Sequence, residues 1–98
     1  GFNVYPQMIE QAIYEHPAVA EVIVLGVPDS YRGEAAKAFV TLKEGAAPFS
    51  LEVLQAFLKD KVGRHEMPVA VEFRDALPKT TVGKLSRAEL RNEIKAAG

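Results

Sequence analysis

Ninety-eight residues make one domain, able to hold a single core but near the lower range for comfortable stability. Twelve basic and thirteen acidic residues are interspersed for a formal net charge of -1, which argues against a protein that grips nucleic acid through its phosphates; no RNP-like aromatic pattern occurs either. There is no cysteine, hence no disulfide and no thiolate chemistry, and no apolar run is long enough to cross a bilayer. The lack of cysteine suits a reducing compartment, and the expected location is cytoplasmic. The chain opens on Gly1 rather than Met and carries no signal segment, so it reads as a fragment or cut domain.

Pro6 fits the first position of a helix in which Met8, Ile9, Ala12 and Ile13 recur at helical spacing, with Glu10, Gln11 and Glu15 on the other side. Pro17 disfavours a helical His16 and stops it. His16 reads as a helix-end residue, since no second His or Cys lies at metal spacing; no metal site is expected. Val19–Val27 is apolar on both faces, Val22 and Val24 on one and Ile23, Leu25 and Val27 on the other, which predicts a central strand covered on both sides. Pro28–Glu34 has strong turn chemistry and is expected to be a loop.

Ala35–Lys43 alternates. Ala36, Ala38, Val40 and Leu42 line one face, and Lys37, Phe39, Thr41 and Lys43 line a polar-leaning one. With the preceding strand it suggests an antiparallel pair. Ser50 can cap a second helix, with Glu52 in its first turn and an apolar stripe of Leu51, Leu54, Phe57, Leu58 and Val62. Lys59 and Lys61 fall in its last turn, where the dipole favours cations, and Gly63 is a suitable stop. Val69, Val71 and Phe73 alternate with Ala70, Glu72 and Arg74 in a short third strand. A last helix starts at Ser86, with Ser86 and Glu89 spaced as a capping box and Leu85 and Leu90 as a hydrophobic staple. The expected fold is α+β: a three-stranded sheet packed by helices, in the order α-β-β-α-β-α.

Between the third strand and the last helix lies Leu77-Pro78-Lys79-Thr80-Thr81-Val82-Gly83-Lys84, a loop by composition. It is expected to be anchored at the helix end and free at the other. Composition alone makes Lys79 and Lys84 solvated loop lysines. Gly83-Lys84 also resembles the end of a phosphate-cradling G-x-x-x-x-G-K-[ST] loop, but Pro78 replaces the first glycine and Leu85 the hydroxyl residue, so that reading is rejected.

Four stretches in register resemble the C-terminal domain of acyl-CoA synthetases in the adenylate-forming, AMP-binding enzyme superfamily. They are Gly1-Phe2-Asn3-Val4-Tyr5-Pro6 with Glu10; His16-Pro17-Ala18-Val19 followed by Val27-Pro28-Asp29 and Arg32-Gly33-Glu34; Lys37-Ala38-Phe39-Val40; and the P-K-T-x-x-G-K signature from Pro78 to Lys84. The resemblance implies that residues 1–98 are a mobile C-terminal cap, separate from an absent N-terminal domain that binds ATP and Mg2+. A carboxylate attacks the α-phosphate of ATP to give an acyl-adenylate, and coenzyme A then displaces AMP.

By the same resemblance Lys84 is the catalytic lysine of adenylation. Gly1 lies beside the pantetheine channel, and Lys59 lies where a basic residue can meet a coenzyme A phosphate. The opening segment leans towards fatty or aromatic acids. The hinge residue is expected upstream of Gly1, and the isolated domain is expected to be inactive. Glu34 belongs to the pattern without an assigned role. Where many relatives carry an aromatic residue and a lysine, this chain has His65 and Glu66, which removes a positive charge there. The alternative is a recognition module for a protein lysine acetyltransferase, modified at Lys84.

Overall fold

β1 (Val19–Asp29) is the strand on which the two halves of the core meet. The computed structural model describes residues 5–31 and 33–97. Around β1 lie α1 (Pro6–Tyr14), β2 (Gly33–Leu42), α2 (Leu51–Leu58), β3 (Ala70–Phe73) and α3 (Arg87–Ala97), with one 3-10 turn at Arg64–Glu66. This is the expected α-β-β-α-β-α order. The sheet runs β1-β2-β3, so β1 is an edge strand rather than the central one expected, and β2 takes the centre, while both faces of β1 are covered as expected. β1 and β2 pair antiparallel, Val22 opposite Val40 and Val24 opposite Ala38, as expected. β3 pairs parallel to β2, which requires the long crossover that carries α2.

The alternation predicted for β1 partitions the core. Val22 and Val24 pack with Ala36, Ala38 and Val40 under Ile9, Ala12 and Ile13 of α1 and Leu54 and Leu58 of α2. Ile23 and Leu25 face the other way and pack with Phe39, Leu77 and Leu90, with Leu85 against them. Each fully buried Ile, Leu or Phe contributes about 1.5–3 kcal/mol.

Five local expectations are corrected. The second face of β2 is covered, with Phe39 and Thr41 both buried, because the loop and α3 supply Leu77 and Leu90 above it. Pro28–Glu34 is mostly strand: pairing continues to Asp29 opposite Gly33, and Asp29 Oδ1 accepts the Tyr31 N–H at 2.8 Å to turn the chain. α2 ends at Leu58, with Lys59 as its C-cap and Lys61 beyond it. The Leu58 carbonyl accepts the N–H groups of Lys61 and Val62. Gly63 has φ -71°, so it is not a left-handed stop, and it opens the 3-10 turn instead. Met8 faces solvent, while Glu10, expected on the outer side, is turned inward.

Candidate functional site

The segment from Leu77 to Ser86 folds back on itself as a tight hairpin. Leu77 is buried in the second core cluster, and Leu85 packs on the same cluster. Between them Lys79 and Leu85 form an antiparallel bridge. The Thr80 N–H donates to the Lys84 carbonyl at 2.7 Å, the Gly83 N–H to the Thr80 carbonyl at 2.9 Å, and the Lys84 N–H to Thr80 Oγ1 at 3.3 Å. Gly83 has φ +84°, a left-handed conformation that glycine adopts without penalty. The expectation of one free end is therefore wrong: both strands of the hairpin are tied.

α3 begins immediately after it. Ser86 Oγ accepts the Glu89 N–H at 3.1 Å, which is half of the expected capping box. The Ser86 N–H donates to the Pro78 carbonyl at 2.9 Å, so that donor is committed to the hairpin rather than to Glu89. Leu85 and Leu90 both reach the second cluster, as the staple spacing predicted.

The two hairpin lysines differ in their surroundings. Lys79 Nζ lies 3.1 Å from Glu21 Oε2 on β1. Lys84 is exposed, and among the described residues no carboxylate pairs with its ammonium. Val82, beside it at the tip, is 77% exposed. The hairpin presents a single uncompensated cation from a fixed backbone.

Lys59 lies on the opposite side of the sheet, where α2 packs on the first cluster. It borders a cleft of about 530 Å³ shared with Gln55, Val62, Arg64 and Met67. The structure therefore separates Lys59 from Lys84 rather than bringing them together. Gly1 lies outside the described residues. Glu66 accepts the Gly63 N–H at 2.8 Å, which gives it a structural task in the 3-10 turn. The Glu34 side chain lies across Gly26: a Cβ there would collide with Glu34 Cδ. His16 is the helix-end residue expected, its Nδ1 accepting the Ala18 N–H at 3.1 Å and its ring against Phe49 and Phe57. Among the described residues no group of three or more His, Asp or Glu side chains could hold a metal, and no helix is long and apolar enough to cross a membrane.

Sequence reasoning named Glu10 only as part of a family stretch and missed its pairing with Arg87. Glu10 Oε1 and Oε2 accept from Arg87 Nη2 at 2.8 and 2.7 Å, joining α1 to the first turn of α3. The overlooked signal is Arg87 itself, a cation in a helix's first turn, where the dipole disfavours it unless an anion lies nearby.

Residues 8–84 match the family described as AMP-binding enzyme C-terminal domain. A long-chain-fatty-acid–CoA ligase of Bacillus subtilis is 52% identical over 93 residues, covering 95% of this chain and 16% of that protein. A long-chain-fatty-acid–CoA ligase of Escherichia coli O157:H7 is 45% identical over 95 residues, covering 97% and 17%. Among solved structures, an acyl-CoA synthetase of Brucella canis matches with a TM-score of 0.86 at 37% identity, over 100% of this chain and 19% of that one. The amide bond synthetase McbA of Marinactinospora thermotolerans matches with a TM-score of 0.83 at 38% identity, over 94% and 18%. The chain spans less than a fifth of the length of each of these relatives.

Proposed function

The chain belongs to the AMP-binding enzyme C-terminal domain family, and from that premise we propose that it is the mobile cap of an ATP-dependent carboxylate–CoA ligase, an acid-thiol ligase. Its partner is its own N-terminal domain. In the first half-reaction the cap brings Lys84 to the junction of the substrate carboxylate and the α-phosphate of ATP. Both groups are anionic. An ammonium between them offsets their repulsion and stabilises the charge that develops in the transition state. No general base is needed, because a carboxylic acid is already ionised at neutral pH.

The observation that carries this reading is the exposed, unpaired ammonium of Lys84 on a hairpin tied at both ends. A cation compensated by a neighbour, as Lys79 is by Glu21, would arrive with its charge already spent. Delivery by a closing domain places the charge only when substrates are present. Separating the half-reactions of a full-length Lys84→Ala variant tests it.

In the second half-reaction the cap presents another surface, with Gly1 at the pantetheine channel and Lys59 towards a coenzyme A phosphate. Support for a second surface is the placement of Lys59 across the sheet from Lys84. ATP and Mg2+ are assigned to the N-terminal domain, as the family resemblance implies. A fatty acid is the substrate favoured, because the Bacillus and Escherichia relatives are long-chain-fatty-acid–CoA ligases. The isolated domain is expected to catalyse neither half-reaction.

A second reading, regulatory acetylation of Lys84 by a protein lysine acetyltransferase, draws on the same exposure. Acetylation removes the charge that adenylation requires. Mass spectrometry after incubation with such an acetyltransferase locates the modified residue, and an unmodified Lys84 counts against it.

A further inference from the structure

The geometry points to Glu10 and Arg87 as the positioning pair that sets where the Lys84 hairpin stands on the sheet, an inference that rests on the adenylation role proposed above for Lys84. Arg87 is the first residue of α3, three positions beyond Lys84. Its Nη2 forks onto both Glu10 oxygens at 2.8 and 2.7 Å, while its Nε donates to the Val24 carbonyl at 3.2 Å. Glu10 Oε2 in turn accepts the Val24 N–H at 2.7 Å. Two side chains thus satisfy both backbone groups of one residue on the outer edge of β1, which also blocks that edge against pairing with another strand.

This triangle ties α1, β1 and α3 at the point where the hairpin ends. The Glu10 side chain is only 14% exposed and that of Arg87 35%, so solvent screens the pair weakly compared with a surface bridge. The planar guanidinium fixes direction as well as distance, which an ammonium at the same place cannot do. From Arg87 the link to Lys84 is short and stiff. Ser86 is bonded to Pro78, and Leu85 is packed in the second cluster. A shift of the α3 N-terminus therefore moves the hairpin as a body. Glu10 and Arg87 touch no substrate; they act through Lys84.

The test uses the full-length enzyme with Arg87→Ala, Arg87→Lys, Glu10→Gln and Glu10→Asp, and with Glu15→Gln as a control that breaks only the Lys61–Glu15 pair. Arg87→Ala and Glu10→Gln are expected to lower the kcat of adenylation roughly 100-fold at nearly unchanged KM for ATP, since a displacement of about 1 Å is enough for that loss. Thioester formation from supplied acyl-adenylate stays near wild type. Arg87→Lys recovers part of the loss, and Glu15→Gln changes nothing. Hydrogen exchange is expected to rise at Thr80, Gly83, Lys84 and Ser86 while that of α2 and β3 holds. If Arg87→Ala does not fold, Arg87→Lys and Glu10→Asp carry the same comparison.

Unchanged exchange in the hairpin overturns the inference. So does equal loss of both half-reactions with exchange raised throughout the domain, which marks a pair that only stabilises the fold. Lys84→Ala serves as a separate arm. If it leaves adenylation intact, the catalytic reading of Lys84 fails, and the exchange data still decide whether the pair holds the hairpin.

Discussion

Lys79 and Lys84 stand on opposite strands of one hairpin, yet only Lys79 is compensated, by Glu21 Oε2 at 3.1 Å. The difference follows from where each strand lies. Lys79 runs over β1 within reach of a carboxylate, and Lys84 sits past the turn made by Gly83. Two lysines in one signature can therefore divide the work, one holding the loop to the sheet and the other presenting charge.

For Lys79 this division predicts a small effect. The Lys79 and Glu21 side chains are 47% and 32% exposed, so solvent weakens their pair. Lys79→Met is expected to lower stability by about 0.5 kcal/mol, and Glu21→Gln by a similar amount. Denaturant titration of each single and of the double variant measures the coupling. A large loss of adenylation in Lys79→Met with Lys84 intact would assign the essential charge to the wrong lysine.

Gly83 and Gly45 form a matched pair of probes. Their φ angles are +84° and +83°, and a Cβ at either would meet nothing within 4 Å. Alanine at either position is expected to cost about 1 kcal/mol from left-handed backbone strain alone. Only Gly83→Ala should also lower adenylation, because only that turn aims Lys84. Asparagine, which tolerates this conformation better, should restore part of the stability at both sites. Equal adenylation in Gly83→Ala and Gly45→Ala would show that hairpin geometry does not govern the lysine.

The network on the sheet face that α3 covers predicts an acid dependence. Glu72 accepts from Arg74 Nε at 3.0 Å and from Lys37 Nζ at 3.1 Å, and Arg74 Nη1 reaches Glu93 at 2.9 Å. The hydrogen bond from Arg74, then that from Lys37, holds the Glu72 carboxyl below its ordinary value of 4.5, against the opposing effect of burial. A group depressed on folding stabilises above its unfolded pKa and loses that contribution as pH falls through its folded pKa. Glu72 should thus contribute fully above about pH 4.5 and progressively less below it. Thermal melts from pH 7 down to pH 3 should fall less steeply for Glu72→Gln than for wild type, and parallel curves would contradict this.

Much of the architecture was legible from periodicity. Opposed apolar pairs in β1, Val22 with Val24 and Ile23 with Leu25, announced two separate core faces, and both exist. The hidden features were those made by distant partners. Glu10 looked like a solvent residue on an amphipathic helix, because its partner lies 77 positions away and leaves no trace in helical spacing. Phe39 and Thr41 were read as part of a polar-leaning face because nothing in β2 says that the loop and α3 will cover it. The hairpin looked half free because its backbone bonds, Thr80 to Lys84 and Ser86 to Pro78, depend on a turn conformation that composition suggests but does not specify. The signature marks Lys84 as the candidate, while its lack of a counterion among the described residues is visible only in three dimensions.

The most direct measurement compares the two half-reactions in full-length wild type and Lys84→Ala. Pyrophosphate release reports adenylation, and thioester formation from supplied acyl-adenylate reports the second step. The account predicts a drop of roughly 10²–10³-fold in adenylation, as for loss of one preorganised charge at a reacting centre, with the second step near wild type. Adenylation at the wild-type rate, or the same loss in both steps, would contradict it.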